Sequence, residues 1–346
     1  MKPPKTATIP LNKFDFRLPR QLIGQKPIKP RDAARLLILD KITGQIKHRH
    51  FFDLPSLLRP DDVLVFNDSK VIPARLRGTK DTGGRVEIFL LKRIRGVNKQ
   101  KNIWQCLVGG KVKPGQKIVL TEDISALATK KDSDQTWLME FNANDQQLFA
   151  LGETPLPPYI KTVAKLEDYQ TVYAKEAGSV AAPTAGLHFT KKLLGQLKKR
   201  GVGIEYVTLH VGLGTFAPVK VDNLLEHKMH TEWAEIDAIT AKRLNRAKAD
   251  GRRIIAVGTT AVRTLESSVN SSGQLRAGNR LTDIFIYPGY KFKFTDAMIT
   301  NFHLPKSTLL VLVSAFAGRE KILSAYHEAI RKKYKFFSFG DGMMIE

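Results

Sequence analysis

The chain has 346 residues, 42% hydrophobic and 26% charged, the balance of a soluble globular protein with room for one large domain or two ordinary ones. Its 56 Lys and Arg against 33 Asp and Glu give a net charge of +23, a field that draws in polyanions. The single cysteine, Cys106, excludes a disulfide framework and a thiolate metal cluster. No apolar stretch reaches the roughly 20 residues of a membrane span, and Met1 to Pro10 lacks the apolar run of a signal peptide, so a cytoplasmic protein is expected.

Two apolar runs, Arg35 to Leu39 and Asp62 to Phe66, are bounded by Pro, Asp or Asn and predict short buried strands. From about Ile72 to Leu151 the period changes to two. Val86, Ile88 and Leu90 alternate with outward residues, as do Trp104, Cys106 and Val108, then Ile118 and Leu120, then Trp137, Met139 and Phe141. Short alternating strands between turns predict a small antiparallel barrel or sandwich. The run Pro155 to Pro158 closes that segment.

Beyond Tyr159, helices and strands alternate. Lys191 to Arg200 reads as a helix stopped by Gly201, followed by a strand over Ile204 to Val211. Ile239 to Asp250 repeats the pattern before a strand at Arg253 to Val257. A third unit runs from a helix at Thr260 to Val269, through a loop at Ser271 to Asn279, to a strand at Asp283 to Tyr287. Thr308 to Ala317 reads as a buried helix. The expected fold is therefore α/β, a mainly parallel sheet body with helices, interrupted by a small antiparallel β-barrel-like insert. The body comprises residues 1–72 and 152–346, and the insert residues 73–151. The insert carries 14 Lys and Arg against 8 Asp and Glu, so positive charge is spread over both parts.

Ligands of open α/β sheets bind beyond the carboxyl ends of strands, where helix N-termini and loops present N–H groups. Three segments meet that description: Val257 to Arg263, His210 to Phe216, and Ala182 to Thr190. In the first, Gly258 permits close approach while Thr259 and Thr260 can cap a helix. Five of eight histidines, His188, His210, His227, His230 and His303, fall in or near these loops. His227, His230 and Glu232 have metal-like spacing, but nothing supplies further ligands, and no metal is expected. Gly-x-Ser-x-Gly, Walker and dinucleotide fingerprints are absent from the sequence, which removes the usual support for hydrolase, NTPase and dehydrogenase readings. The basic–aromatic run Tyr287 to Phe294 has two readings: stacking on splayed bases, or core aromatics on an edge strand with protective lysines.

The segments Phe66–Arg75, Pro155–Lys161, Tyr169–Ala174, Ala181–Phe189, Thr208–Phe216, Glu226–His230, Ile255–Ser267, Ile299–Leu309 and Phe336–Asp341 occur in one order along the chain. In that order they resemble the S-adenosylmethionine:tRNA ribosyltransferase-isomerase family. One mild departure is Asp68-Ser69-Lys70, where Asn-Thr-Arg is also common. The resemblance implies an enzyme of queuosine biosynthesis. It would transfer the ribosyl part of S-adenosylmethionine to 7-aminomethyl-7-deazaguanine at the tRNA wobble position, isomerise it to epoxyqueuosine, and release adenine and methionine. S-Adenosylmethionine would be a consumed cosubstrate, with no permanently bound cofactor. The tRNA anticodon arm would be the polyanionic partner, with neither a membrane nor an obligate protein partner implied.

That chemistry needs a base, an acid for the departing adenine, and anchors for the donor. His188, His210 and His303 are candidate bases, and His188, in the turn opening the Lys191 helix, is the first choice. Glu266 and Asp341 are candidates for a base or for pairing with the sulfonium. Arg263 is the candidate anchor for the methionine carboxylate. Thr184, Gly186, Gly214, Gly258, Thr259 and Thr260 are expected to line the nucleoside pocket. Two alternatives remain at this stage: a non-catalytic basic RNA-binding protein, and an S-adenosylmethionine-dependent tRNA methyltransferase.

Overall fold

The computed structural model describes residues 8–94, 101–132, 136–157, 159–162, 165–212 and 219–346. The body begins with β1 (Arg35–Leu39), β2 (Ile46–His50), a short helix α1 (Leu54–Leu57), β3 (Val63–Asn67) and β4 (Ser69–Val71). Six strands follow: β5 (Arg75–Lys80), β6 (Arg85–Ile94), β7 (Asn102–Gly109), β8 (Lys117–Val119), β9 (Ser125–Lys131) and β10 (Thr136–Phe141). They close a barrel in the order β10-β7-β6-β5-β8-β9, with every neighbour antiparallel. Helix α2 (Asp145–Leu151) follows and packs Leu148 into the barrel's buried cluster.

The period-two pattern sets the barrel interior. Leu76, Val86, Ile88, Leu90, Trp104, Cys106, Ile118, Trp137, Met139 and Phe141 form one buried cluster. The barrel is tied at its neck, where Arg75 and Glu153 exchange backbone hydrogen bonds of 3.4 and 2.8 Å.

The chain re-enters the body through β11 (Glu176–Ser179), α3 (Lys191–Lys199), β12 (Gly203–Leu209), β13 (Glu232–Ile236), α4 (Ala238–Ala249), β14 (Ile254–Val257) and α5 (Thr259–Ser268). It ends with β15 (Gly278–Thr282), β16 (Ala297–Asn301), α6 (Thr308–Ala317), α7 (Arg319–Arg331) and β17 (Gly342–Ile345). Nine strands order as β15-β13-β12-β3-β14-β16-β17-β1-β2, while β4 and β11 form a separate parallel pair. Both faces of the large sheet are covered. Val63 and Val65 of β3 pack with residues of α4 to α7, while Leu64 and Phe66 pack with Leu193 and Leu197 of α3. Burial on both sides explains the continuous apolar runs.

The expectation of a mainly parallel sheet is corrected: the sheet is mixed. β12-β3, β3-β14, β14-β16 and β1-β17 are parallel. β1-β2, β12-β13, β13-β15 and β16-β17 are antiparallel. The antiparallel members include polar segments such as Ile46–His50 and Gly278–Thr282, which lie at the two sheet edges and bury little. The strand expected at Asp283 to Tyr287 is also displaced. Backbone pairing with β13 recruits Gly278–Thr282 instead, leaving Leu281 59% exposed. The third parallel crossover runs from β14 through α5 to β16. Among the described residues no helix is long and apolar enough to cross a membrane.

Candidate active site

The central strands β3, β12 and β14 run parallel, so their carboxyl ends meet at one edge. β14 turns into α5 at Gly258, whose φ of 91° is the left-handed region that glycine tolerates. Its N–H donates to the Ile299 carbonyl at 2.7 Å, placing the start of α5 beside β16. A Cβ on Gly258 would lie 3.5 Å from Thr260 Oγ1 and 3.7 Å from Ala185, so the turn Thr184–His188 is an immediate neighbour. Thr184 donates its hydroxyl hydrogen to the Asn301 side-chain oxygen at 3.1 Å. Gly186 is required by a close approach, because a Cβ there would lie 1.8 Å from the Tyr173 hydroxyl. Thr184, Gly186, Gly258, Thr259 and Thr260 therefore lie close together, and Arg263 is one helical turn further along α5. Gly214 lies outside the described residues.

Arg263 is 4% exposed, and its Nη1 donates to Glu232 of β13. Among the described residues its Nε and Nη2 are buried without a partner. Arg77, Arg243, Arg253 and Arg331 use that same Nε–Nη2 edge to grip a carboxylate in pairs of hydrogen bonds. In Arg263 the edge is desolvated and open to an acceptor, an arrangement that costs stability unless a ligand fills it. Glu232 also accepts from the Gly212 N–H at 3.0 Å, which fixes its carboxylate beside the guanidinium. The buried hydroxyls of Thr260, Thr171 and Tyr173 likewise have no partner among the described residues. Unpaired polar atoms thus converge on the Thr184–Gly186 turn and the first turns of α5. A separate cleft of about 630 Å³ on the barrel, lined by Phe89, Trp137, Lys111 and Lys131 among others, stands apart from this convergence.

The histidines fare differently. His188 is stacked on Phe51 at 4.3 Å, and its Nε2 accepts from the Asn301 side-chain amide at 3.1 Å. Burial, with help from the Arg31 charge, pushes its pKa down to about 3, while its ring also hydrogen-bonds the Arg31 backbone. His303 meets the Thr300 hydroxyl at 3.0 Å, and burial lowers it to about 3 as well. Both are neutral imidazoles committed to structural partners. His210 stacks on Trp233 at 4.8 Å, at the carboxyl end of β12 and within the site.

Glu266 is turned away from the site. Its carboxylate accepts from the Tyr290 hydroxyl and from the N–H groups of Lys293, Phe294 and Thr295, at 2.9 to 3.1 Å. Asp341 accepts from the N–H groups of Arg35 and Lys335, each at 2.8 Å, and burial raises its pKa. These two carboxylates fasten loops. The aromatics of Tyr287 to Phe294 face the core: Phe294 is buried and Phe292 packs edge-on against Phe316 at 4.7 Å. Among the described residues no three His, Cys, Asp or Glu side chains gather in a metal-binding group.

Sequence reasoning passed over Asp68, Thr171, Tyr173 and Asn301, and treated Glu232 only through its spacing from His227 and His230. The first four lie inside motifs already noted, but a motif alone does not say which members face a site.

The model of the queuosine biosynthesis protein family matches residues 11–345. The chain belongs to that family. It is 52% identical over 338 residues to an S-adenosylmethionine:tRNA ribosyltransferase-isomerase of Thermotoga petrophila, covering 97% of this chain and 99% of the relative. The same enzyme of Fusobacterium nucleatum is 51% identical over 343 residues, covering 97% and 96%. The crystal structure of an S-adenosylmethionine tRNA ribosyltransferase from Thermotoga maritima superposes with a TM-score of 0.56 at 39% identity, covering 96% of this chain and all of that one.

Proposed function

We propose that the protein is an S-adenosylmethionine:tRNA ribosyltransferase-isomerase, acting in the cytoplasm on the anticodon arm of tRNA. The observation that carries this reading is the buried, open Nε–Nη2 edge of Arg263, one turn into a helix whose first residues are Thr259 and Thr260. A guanidinium fork takes a carboxylate, and the helix start with its neighbouring hydroxyls takes a ribose or a base. A ligand bearing both an amino-acid carboxylate and a nucleoside matches S-adenosylmethionine. Relatives about 50% identical over nearly the whole chain bear that enzyme's name. The acceptor is 7-aminomethyl-7-deazaguanine in the wobble position, the products are epoxyqueuosine, adenine and methionine, and the charge of +23 suits the tRNA.

In this mechanism Arg263 holds the carboxylate, with Glu232 fixing the guanidinium. Thr184, Gly186, Gly258, Thr259 and Thr260 surround the nucleoside, and His188 acts through Asn301 by holding the turn that carries Thr184. No permanently bound cofactor is required, because the sulfonium supplies the leaving group. Titration calorimetry with S-adenosylmethionine and with its decarboxylated analogue tests the site. The intact ligand should bind at least tenfold more tightly. Equal affinities would remove Arg263 from the donor site.

A further inference from the structure

With His188 and His303 committed to structural partners, and Glu266 and Asp341 holding loops, His210 is the one sequence-derived candidate base left at the site. The transfer has two protons to place, one from the ribose and one from the attacking amine. Asp68 occupies the carboxyl end of β3, the central strand between β12 and β14. Val257 pairs with Phe66 and Val207 with Asn67, so Asp68 stands between the Gly258 turn and Thr208. The residue is 8% exposed. One carboxyl oxygen, Oδ1, accepts from the Thr208 hydroxyl at 2.7 Å, and besides the residue's own N–H no other described group hydrogen-bonds the carboxyl. On the same face, Tyr173 and Tyr206 pack with ring centroids 5.4 Å apart. The buried Tyr173 hydroxyl, also without a partner among the described residues, abuts Gly186 of the turn assigned to the nucleoside.

We infer that Asp68 is the proton acceptor of the transfer, taking a proton from the amine that attacks the ribosyl carbon. The inference rests on the ribosyltransferase reading above. Asp68 stands at the end of β3, and Tyr173, which faces its carboxyl, abuts Gly186 of the turn assigned to the donor nucleoside, so the carboxyl borders the donor site. As the amine nitrogen bonds to carbon, another bond of that carbon breaks and its electron pair leaves with the departing side, and the nitrogen becomes cationic. One N–H bond then breaks, its electron pair stays on nitrogen, and the proton moves to the free Asp68 oxygen. The carboxyl returns the proton to solvent when product leaves.

Burial raises the Asp68 pKa above the ordinary carboxylate range, which makes it a better base than an exposed aspartate. The Thr208 hydroxyl and the Lys175 charge act in the opposite direction, and Glu176 adds to the rise. Tyr173 and Tyr206 face the same carboxyl and stay neutral, because burial pushes both phenols up.

The test compares Asp68→Asn and Thr208→Val with the parent enzyme, measuring S-adenosylmethionine binding, thermal stability and single-turnover rate against pH. Asp68→Asn should bind the donor within about threefold of the parent and turn over on the order of 100- to 10,000-fold more slowly. It should also lose the acid limb of the rate profile. Thr208→Val keeps the base but removes the hydrogen bond that favours its ionised form, so its acid limb should move to higher pH. This second variant decides the matter if Asp68→Asn does not fold. Near-parental turnover in Asp68→Asn, or an acid limb unmoved in Thr208→Val, overturns the inference. Failure of the parent enzyme to bind S-adenosylmethionine would instead defeat the donor-site reading.

Discussion

Replacing Arg263 with lysine isolates the fork from the charge. Arg263→Ala would leave Glu232, itself buried, facing no cation, at a cost of about 3–5 kcal/mol in stability, and would confuse folding with binding. Lysine keeps one positive charge for Glu232 and removes the Nε–Nη2 edge. Each charge-assisted hydrogen bond is worth about 1.5–3 kcal/mol, and an ammonium recovers at most one of the two. The net loss of about 1.5–3 kcal/mol corresponds to roughly 10- to 150-fold in donor affinity. The carboxylate is remote from the bonds being broken and is held equally in ground and transition states. KM for S-adenosylmethionine should therefore rise by that factor while kcat stays within about threefold. Steady-state kinetics at saturating tRNA provides the assay. An unchanged KM, or a loss confined to kcat, would refute the assignment.

Acid should destabilise the fold through two histidines. His188 and His303 titrate at about 3 in the folded protein, whereas an unfolded histidine titrates near 6.5. The unfolded chain therefore binds more protons between those values, and stability present above pH 6.5 is lost as pH falls toward 3. At pH 5 the loss is about 2 kcal/mol for each residue. The melting temperature should drop between pH 7.5 and 5, and less steeply in His303→Gln; equal slopes would count against it. We propose that the barrel is an inserted unit, since Arg75 and Glu153 close its neck. Joining Pro73 to Thr154 through a short linker should leave a body that melts cooperatively. Aggregation of both the body and the isolated barrel would place the boundary elsewhere. Affinity for tRNA should fall about a thousandfold between 50 and 200 mM salt if six or more phosphates are contacted. A flat response would exclude a broad electrostatic interface.

What could be read from the sequence follows from periodicity. Four of the six barrel strands, β6, β7, β8 and β10, were legible because one face of each is buried in a closed interior, which imposes alternation on residues such as Trp104, Cys106, Trp137 and Met139. The strands β1, β3 and β14 were legible because both their faces are buried. Strands β2 and β15 were not, because edge strands held by backbone bonds need no apolar pattern. At the site, the Gly258-Thr259-Thr260 turn was visible through glycine at a strand–helix junction. His188, Glu266 and Asp341 were candidates by residue type, and each has hydrogen-bonding partners within the protein. A buried polar residue must satisfy its hydrogen bonds, and a sequence does not say whether its partner is a loop or a ligand. Asp68 and the open edge of Arg263 became visible only when the partners of each polar atom could be traced.

The most direct measurement is product analysis after incubating the protein with S-adenosylmethionine and tRNA carrying 7-aminomethyl-7-deazaguanine. Mass spectrometry of the digested tRNA and of the small molecules should find epoxyqueuosine, with adenine and methionine released in equal amounts. S-Adenosylhomocysteine together with a methylated nucleoside, or an unchanged precursor with no adenine released, would contradict the ribosyl-transfer reading.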